Sequence, residues 1–360
     1  MPLSLQLTDD PSCLGHHFIV GLSGFSLSDE DRELLSGLRP MGVLLRAPNF
    51  RQGVEYSIWL SSLKAMLAEA QSLTGRDKLI VSIDHEGGRI YRVPAPLTHF
   101  PDAFTHAKKA AAVAEAMAVE LASIGVNLSL APVADIHSNP TNPVIGKRAF
   151  GTTPEEVIQA VVPYAQALLK NKVIPCAKHF PGHGDTSQDS HLELPRVKLT
   201  LPELEKRELK PFQALIDSGI PMILTAHIKF LEIDKRNPAT LSKKILGEIL
   251  REKMGFSGVI LSDDLDMQAI ADNYSEDDIA KRAIPAGLDM FLFNHKPQRG
   301  IKLAEAILRG LRTKKIKETM LESSFNRIKH LVDTLLPMHS ARILDSKVLA
   351  QHARLADSFS

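Results

Sequence analysis

Residues 173–191 read Val-Ile-Pro-Cys-Ala-Lys-His-Phe-Pro-Gly-His-Gly-Asp-Thr-Ser-Gln-Asp-Ser-His, a short apolar run that ends abruptly in charged side chains. The apolar part, 173–177, has the length and composition of a strand buried on both faces, as parallel strands beneath helices are. Lys178 and His179 follow it directly, and a loop then carries four more ionisable residues: His183, Asp185, Asp189 and His191. So many charged groups are incompatible with core packing. The segment therefore predicts a buried strand that opens into a functional site.

The same alternation of a short apolar run and a helical pattern extends along the whole chain. The apolar runs lie at 17–22, 42–45, 78–83, 126–131, 173–177, 221–225, 258–262 and 288–292. Eight such units in series predict an α/β fold, a closed parallel (β/α)8 barrel of the TIM type, rather than an open doubly wound sheet. We expect residues 1–336 to form this barrel as a single domain. The polar segment 337–360 is expected to pack outside it or to be partly disordered.

Several helices of this pattern have recognisable ends. Thr153-Pro154-Glu155-Glu156 and Thr200-Leu201-Pro202-Glu203 fit capping boxes with proline at the first helical position. Gly219 lies where the second of these helices should end, and Gly255 follows an amphipathic helix predicted at 242–254. The other helices are expected at about 55–71, 106–123, 275–285, 299–311 and 317–335.

Composition restricts the class of protein. The chain has 360 residues, 44% of them hydrophobic and 24% charged, as in an ordinary globular protein. Its net charge of +1 offers no electrostatic basis for binding nucleic acid or an anionic membrane. The two cysteines, Cys13 and Cys176, have no metal-binding spacing, and the N-terminus lacks the pattern of a signal peptide. We therefore expect a cytoplasmic monomer that binds a small-molecule substrate and neither nucleic acid nor a membrane.

Polar residues follow six of the eight apolar runs. They are Asp84-His85-Glu86-Gly87-Gly88-Arg89, Asp135 after Pro132-Val133-Ala134, Lys178-His179, His227, Asp263-Asp264 and Asn294-His295. In a parallel barrel these positions meet at the carboxyl ends of the strands, where barrel enzymes keep their catalytic groups. The sequence therefore predicts an active site there.

Two parts of this site remain open to several interpretations. One of Asp263 and Asp264 is expected to face the barrel mouth while its neighbour caps or pairs with another group, and a structural role is as compatible with either as a catalytic one. The loop 185–191 could be a metal site, a structural hydrogen-bond network around Asp185 and Thr186, or a dyad in which Asp189 orients His191 as a general acid and base. Its spacing matches no established metal pattern, which disfavours the first interpretation.

The motifs resemble those of one enzyme family. The segment from Lys178 to Thr186, Lys-His-Phe-Pro-Gly-His-Gly-Asp-Thr, followed by Asp189-Ser190-His191, resembles the signature of single-domain bacterial β-N-acetylhexosaminidases of glycoside hydrolase family three. Asp84-His85-Glu86-Gly87-Gly88-Arg89 resembles an acidic segment of that family, and the run from Gly258 to Met267 resembles its nucleophile strand. The resemblance extends over roughly residues 15–335, although Asp266 stands where a serine is common.

The resemblance implies a role for each matching residue. Asp263 would be the nucleophile that forms a glycosyl-enzyme, and His191, assisted by Asp189, would be the acid/base. The N-acetylglucosamine unit would be bound by Asp84, Arg92, Arg148, Lys178 and His179. The implied reaction retains the anomeric configuration and needs no metal or other cofactor. The implied substrate comes from cell-wall turnover, N-acetylglucosamine linked to anhydro-N-acetylmuramic acid, as a disaccharide or as a muropeptide.

Two other functions compete with a retaining β-N-acetylglucosaminidase. One is a metal-dependent barrel hydrolase that uses His179, His183 and His191 as ligands. The other is a sugar-binding protein without catalytic activity. Cleavage assisted by the acetamide group of the substrate is a further mechanism, and it predicts no covalent enzyme intermediate.

Overall fold

Eight parallel strands close into a barrel, in a computed structural model that describes residues 6–188, 193–338 and 341–359. Each strand pairs with the next along the chain, and the eighth pairs with the first. The strands are β1 (Phe18–Gly21), β2 (Gly42–Leu45), β3 (Ile80–Ile83), β4 (Leu128–Ser129), β5 (Ile174–Phe180), β6 (Met222–Thr225), β7 (Val259–Asp264) and β8 (Met290–Phe293). All eight lie where the apolar runs predicted them, and the predicted (β/α)8 fold is confirmed. A separate two-stranded sheet pairs Arg196–Val197 with Lys229–Phe230.

Helices surround the barrel. They are α1 (Asp29–Leu38), α2 (Tyr56–Thr74), α3 (Ala103–His106), α4 (Ala110–Ser123), α5 (Pro154–Lys170), α6 (Leu201–Lys206), α7 (Leu209–Asp217), α8 (Gln268–Ala271), α9 (Glu276–Ala286), α10 (Arg299–Arg312), α11 (Glu318–Thr334) and α12 (Ser346–Asp357). Lys243–Lys253 forms a π-helix, in the place of an expected α-helix. Short 3-10 turns occur at Pro11–His17, Ala47–Asn49, Ala107–Lys109, Gly146–Arg148 and Ala239–Leu241.

Both predicted capping boxes are present at helix starts. The Thr153 side chain accepts from the backbone N–H of Glu156 at the start of α5. At the start of α6, the Glu203 carboxylate accepts the backbone N–H and the hydroxyl of Thr200, both at 2.7 Å. The segment after Thr200 differs from the single helix that was expected. It divides into α6 and α7, because Arg207 leaves the helical conformation with φ −131° and ψ −77°.

The barrel interior follows from the two-residue period of its strands. Alternate residues such as Val259 and Leu261 on β7 point inward and join one buried cluster with inward residues of the other seven strands. Ile328, Leu331 and Val332 of α11 belong to the same cluster. Helix α11 therefore closes the amino-terminal end of the barrel, which leaves the carboxyl ends of the strands as the accessible mouth.

The last described helix lies on the outside of the barrel. His352 of α12 places Nδ1 2.8 Å from the Glu120 carboxylate of α4, and Phe359 packs near His106. Within the ranges that the structure describes, no helix combines the length and apolar character needed to cross a membrane.

Candidate active site

Polar side chains from neighbouring strand ends meet at the barrel mouth. The Lys178 ammonium, on β5, contacts the carboxylate of Asp84, which follows β3. The same Asp84 lies 3.7 Å from the Arg92 guanidinium, and Arg148 Nη2 lies 3.4 Å from His179 Nε2. The structure thus brings close together all five residues that were predicted to bind the sugar.

A buried carboxylate, Glu86, joins these residues. Arg148 donates from Nε and Nη2 to its two oxygens at 2.8 and 2.7 Å, and Lys178 Nζ lies 2.5 Å from Oε1. The side chains of Lys178, Glu86 and Arg148 are only 3, 5 and 9% exposed, whereas that of Asp84 is 30% exposed. Two cations are therefore held away from water by one buried carboxylate and one accessible carboxylate.

The pKa values in this cluster follow from its ion pairs. Burial alone would raise the pKa of Glu86, but the charges of Arg148 and Lys178 outweigh it and hold that pKa well below its usual range. Burial likewise opposes the charge on Lys178, and the carboxylates of Asp84 and Glu86 nevertheless raise its pKa. Glu86, Lys178 and Arg148 therefore all carry their charges at neutral pH.

His179 is oriented by Asp135, which follows β4. His179 Nδ1 lies 2.6 Å from the Asp135 carboxylate, whose oxygens also accept backbone N–H groups of His179 and His183. Because an arginine can only donate, its contact with Nε2 requires a lone pair on that nitrogen, so Nδ1 carries the proton. Burial opposes the charge of Asp135, yet His179 and the other donors lower its pKa.

Asp263 lies near the end of β7, two residues after Leu261, which points into the barrel. The register of β7 against β8 shifts between Leu261 and Asp264, so the strict alternation of the strand does not continue to Asp263. Asp263 Oδ1 accepts the backbone N–H of Asp264 at 2.8 Å. The charge of Asp263 affects the pKa of the buried Cys176 thiol. Burial raises this pKa, the Lys178 charge lowers it, and the Asp263 charge raises it further. The charges of Asp263 and Lys178 therefore both affect a thiol that lies inside the barrel.

Asp264 has a different environment. It is buried, and its Oδ1 accepts the backbone N–H groups of Asp266 and Asn294, which ties the ends of β7 and β8 together. Burial, with the nearby charges of Asp266 and Asp263, raises the pKa of Asp264 to about 7. Its carbonyl also lies 3.0 Å from His227 Nε2. Asp264 thus stabilises the turn after β7.

Asp266 is held in a structural ion pair. Its Oδ1 lies 3.1 Å from Arg299 Nη1, and its Oδ2 accepts the backbone N–H groups of His295 and Lys296. The positive guanidinium therefore offsets the extra negative charge that the sequence places near Asp263.

The loop after β5 is anchored at several points within its described part, which extends to residue 188. His183 Nδ1 lies 2.9 Å from Thr186 Oγ1, and Asp185 pairs with Arg207 at 3.1 Å. Gly184 packs so closely on Ile136 that a Cβ there would lie 1.6 Å from the Ile136 carbonyl oxygen. These contacts fit a structural role for Asp185 and Thr186. Asp189 and His191, predicted as the acid/base pair, lie outside the described residues.

Among residues 6–188, 193–338 and 341–359, no group of three or more His, Cys, Asp or Glu side chains is arranged to hold a metal ion. His183 is buried, and burial, as the largest influence, lowers its pKa to about 4. The predicted metal ligand His191 lies outside these ranges.

Two residues with a clear part in this geometry, Glu86 and Asp135, were not among the predicted site residues. Both follow apolar runs, and that position is the only signal the sequence carries for them. The contacts that distinguish them from ordinary strand-end residues, with Arg148, Lys178 and His179, join residues at least 44 positions apart.

The fold and the site define a glycoside hydrolase. The family model described as the glycosyl hydrolase family 3 N-terminal domain matches residues 19–331, and the chain belongs to that family. A β-hexosaminidase of Methylococcus capsulatus is 38% identical over 296 residues, 79% of this chain and 85% of that protein. A β-hexosaminidase of Chromobacterium violaceum is 34% identical over 304 residues, 81% of each chain.

A solved structure gives the same result. The family 3 β-N-acetylglucosaminidase from Paenibacillus sp. FPU-7 matches with a TM-score of 0.87 at 29% identity, over 98% of this chain and 68% of that one. The predicted resemblance to the β-N-acetylhexosaminidases of the family is confirmed.

Proposed function

We propose that the protein is a retaining exo-β-N-acetylglucosaminidase in which Asp263 is the nucleophile and His191, oriented by Asp189, is the acid/base. The position of Asp263 carries this proposal. It lies near the end of a barrel strand, and its charge affects the same buried thiol as the charge of the Lys178 ammonium. A carboxylate held near the sugar-binding cluster is what a double displacement requires.

The proposed reaction has two displacements. In the first, an Asp263 oxygen forms a bond to the anomeric carbon, the bond to the leaving oxygen breaks with its electron pair, and His191 gives that oxygen its proton. In the second, a water oxygen attacks the same carbon, His191 takes the proton of the water, and Asp263 leaves as a carboxylate. Two successive inversions retain the configuration.

The cluster around Glu86 would bind the sugar that occupies the site. Asp84 and Arg92, with side chains 30 and 33% exposed, present polar atoms at the surface of the mouth. Lys178 and Arg148 lie behind them as donors, beside the imidazole of His179, and buried carboxylates set the positions of all three side chains. Such preorganised polar groups suit a ligand rich in hydroxyl groups and an acetamide, because their geometry costs nothing further on binding.

The proposed substrate is N-acetylglucosamine linked to anhydro-N-acetylmuramic acid, with or without a peptide, as the resemblance of the motifs at 84–89, 178–191 and 258–267 implies. We also propose that the protein is a monomer in the cytoplasm. Its sparse use of cysteine and its ordinary charge balance support this location.

Trapping of the covalent intermediate tests the assignment. A fluorinated N-acetylglucosamine inhibitor with a good leaving group should label Asp263, located by peptide mass mapping. The Asp264→Asn variant serves as the matched control and should still be labelled, whereas Asp263→Asn should not. A label on Asp264 would overturn the choice of nucleophile, and loss of turnover after exhaustive chelation would favour a metal-dependent hydrolase instead.

A further inference from the structure

Charge is distributed unevenly around the mouth of the barrel. The segments that follow β3 and β7 carry carboxylates of the candidate active site, such as Asp84 and Asp263. The segments that follow β8, β1 and β2, residues 294–298, 22–28 and 46–54, contain no aspartate or glutamate. Because these three strands are neighbours, the segments form one side of the mouth. We call this side the basic arc after its ionisable residues, Arg46, Arg51, His295 and Lys296.

Arg46 joins the three segments of the basic arc. Its Nη2 donates to the Leu22 carbonyl at 2.8 Å, and its Nη1 lies 3.4 Å from His295 Nδ1. The buried Asn49 holds the backbone independently: its Oδ1 accepts the Arg46 N–H at 2.7 Å, and its Nδ2 donates to the carbonyls of Leu22 and Gly24. The guanidinium is therefore a half-buried cation in a fixed position, on a loop that a neighbouring amide keeps in place.

The basic arc begins beside the proposed nucleophile. Asp264, which follows Asp263, accepts the Asn294 backbone N–H at 3.1 Å, and its Oδ2 lies 4.0 Å from Nε2 of the exposed His295. The proposed reaction brings the anomeric carbon, and with it the aglycone, to Asp263 on β7. The sugar ring contacts side chains from the ends of β3, β4 and β5, and β8 adjoins β7 on the side away from β5. The aglycone therefore lies on the side of the basic arc.

We propose that the basic arc, and Arg46 above all, is a subsite that binds a carboxylate carried by the aglycone. The inference rests on the proposed function and adds to it the residues that select among aglycones. A guanidinium suits this group because its planar fork matches the two oxygens of a carboxylate. A side of the mouth without carboxylates of its own attracts such an aglycone and disfavours a cationic one.

Two matched substrates test the subsite, 3-carboxyphenyl N-acetyl-β-glucosaminide and its neutral 3-carbamoylphenyl analogue. The readout is the ratio of kcat/KM for the acid to kcat/KM for the amide. Arg46→Gln should lower this ratio about fivefold, the upper end of what an exposed ion pair contributes. Arg51→Gln, at an exposed position where folding is not at risk, should lower it about twofold. Added salt should also lower the ratio of the unaltered enzyme.

The ratio is insensitive to incidental effects, because loss of folded protein and differences in leaving-group acidity cancel when variants are compared on the same two substrates. Arg312→Gln is the matched control. It removes the same charge at the last residue of α10, where Arg312 pairs with Asp9, and it should leave the ratio unchanged.

The outcomes separate the two proposals. If the unaltered enzyme cleaves no aryl N-acetyl-β-glucosaminide, the proposed function is wrong and the subsite falls with it. If it cleaves both substrates, and neither Arg46→Gln nor Arg51→Gln lowers the ratio more than Arg312→Gln does, only the subsite is wrong.

Discussion

Replacement of Glu86 by glutamine tests whether one buried carboxylate holds the site together. Glu86 accepts two hydrogen bonds from Arg148 and one contact from Lys178, and all three side chains are less than 10% exposed. Glutamine keeps the shape of the side chain but removes the charge, and its NH2 group faces a donor. Removing one partner of a buried ion pair costs roughly 3–5 kcal/mol, and the oxygen that glutamine retains favours the lower figure, about 3 kcal/mol.

This loss in the free energy of unfolding corresponds to a decrease in melting temperature. Unfolding entropy is about 2.1 cal/mol/K per residue, so a loss of about 3 kcal/mol in a chain of 360 residues lowers Tm by about 4 °C. Differential scanning calorimetry at neutral pH measures it. The control is Glu305→Gln on the exposed face of α10, which should shift Tm by less than about 1 °C. We also expect KM for an aryl N-acetyl-β-glucosaminide to rise about tenfold, because Lys178 and Arg148 lose their fixed positions.

The difference in stability between the unaltered protein and Glu86→Gln should depend on pH in a defined direction. The pKa of Glu86 is lowered in the folded protein, so its stabilisation is fully present above the ordinary value of 4.5 and is lost only as the pH falls through the lower folded pKa. The stability gap between the unaltered protein and Glu86→Gln should therefore be constant from pH 6 to 8. Equal Tm values for Glu86→Gln and Glu305→Gln, or a gap that widens on acidification, would refute the role given to Glu86.

Two further predictions concern carboxyl and imidazole groups of the site. Burial raises the folded pKa of Asp264 to about 7, so the unaltered protein should lose stability as the pH rises from about 4 to 7. In thermal unfolding, Asp264→Asn should lose less stability over that range. Parallel curves of Tm against pH for the two proteins would contradict the assignment. With activated aryl substrates, the His191→Ala variant should be slowed mainly at deglycosylation, because the attacking water still needs a base although the leaving group needs no acid. Pre-steady-state bursts measure the two steps separately. An equal loss of rate at both steps for good and poor leaving groups would count against an acid/base role.

The barrel could be predicted because its information is local. A strand such as β7 is continuously apolar from Val259 to Leu261, and a capping box such as the one at Thr153 lies within four residues of the chain. The break between α6 and α7 was not predicted, and it depends on tertiary contacts: it coincides with Arg207, whose side chain pairs with Asp185 and Glu208. The sequence left open whether the tail packs outside the barrel, because the contact of α12 with α4 is also tertiary.

The site was harder to predict because carboxylates at strand ends look alike in a sequence. Asp84, Glu86, Asp135, Asp263 and Asp264 all follow apolar runs, and only their partners distinguish them. Glu86 and Asp135 are buried against cations or donors and thereby position other side chains, whereas Asp84 keeps nearly a third of its side chain exposed. A carboxylate saturated with buried donors is poorly suited to attack a sugar, because its lone pairs are already engaged. Burial and partner number, both long-range properties, are therefore what separate a positioning carboxylate from one that can contact substrate.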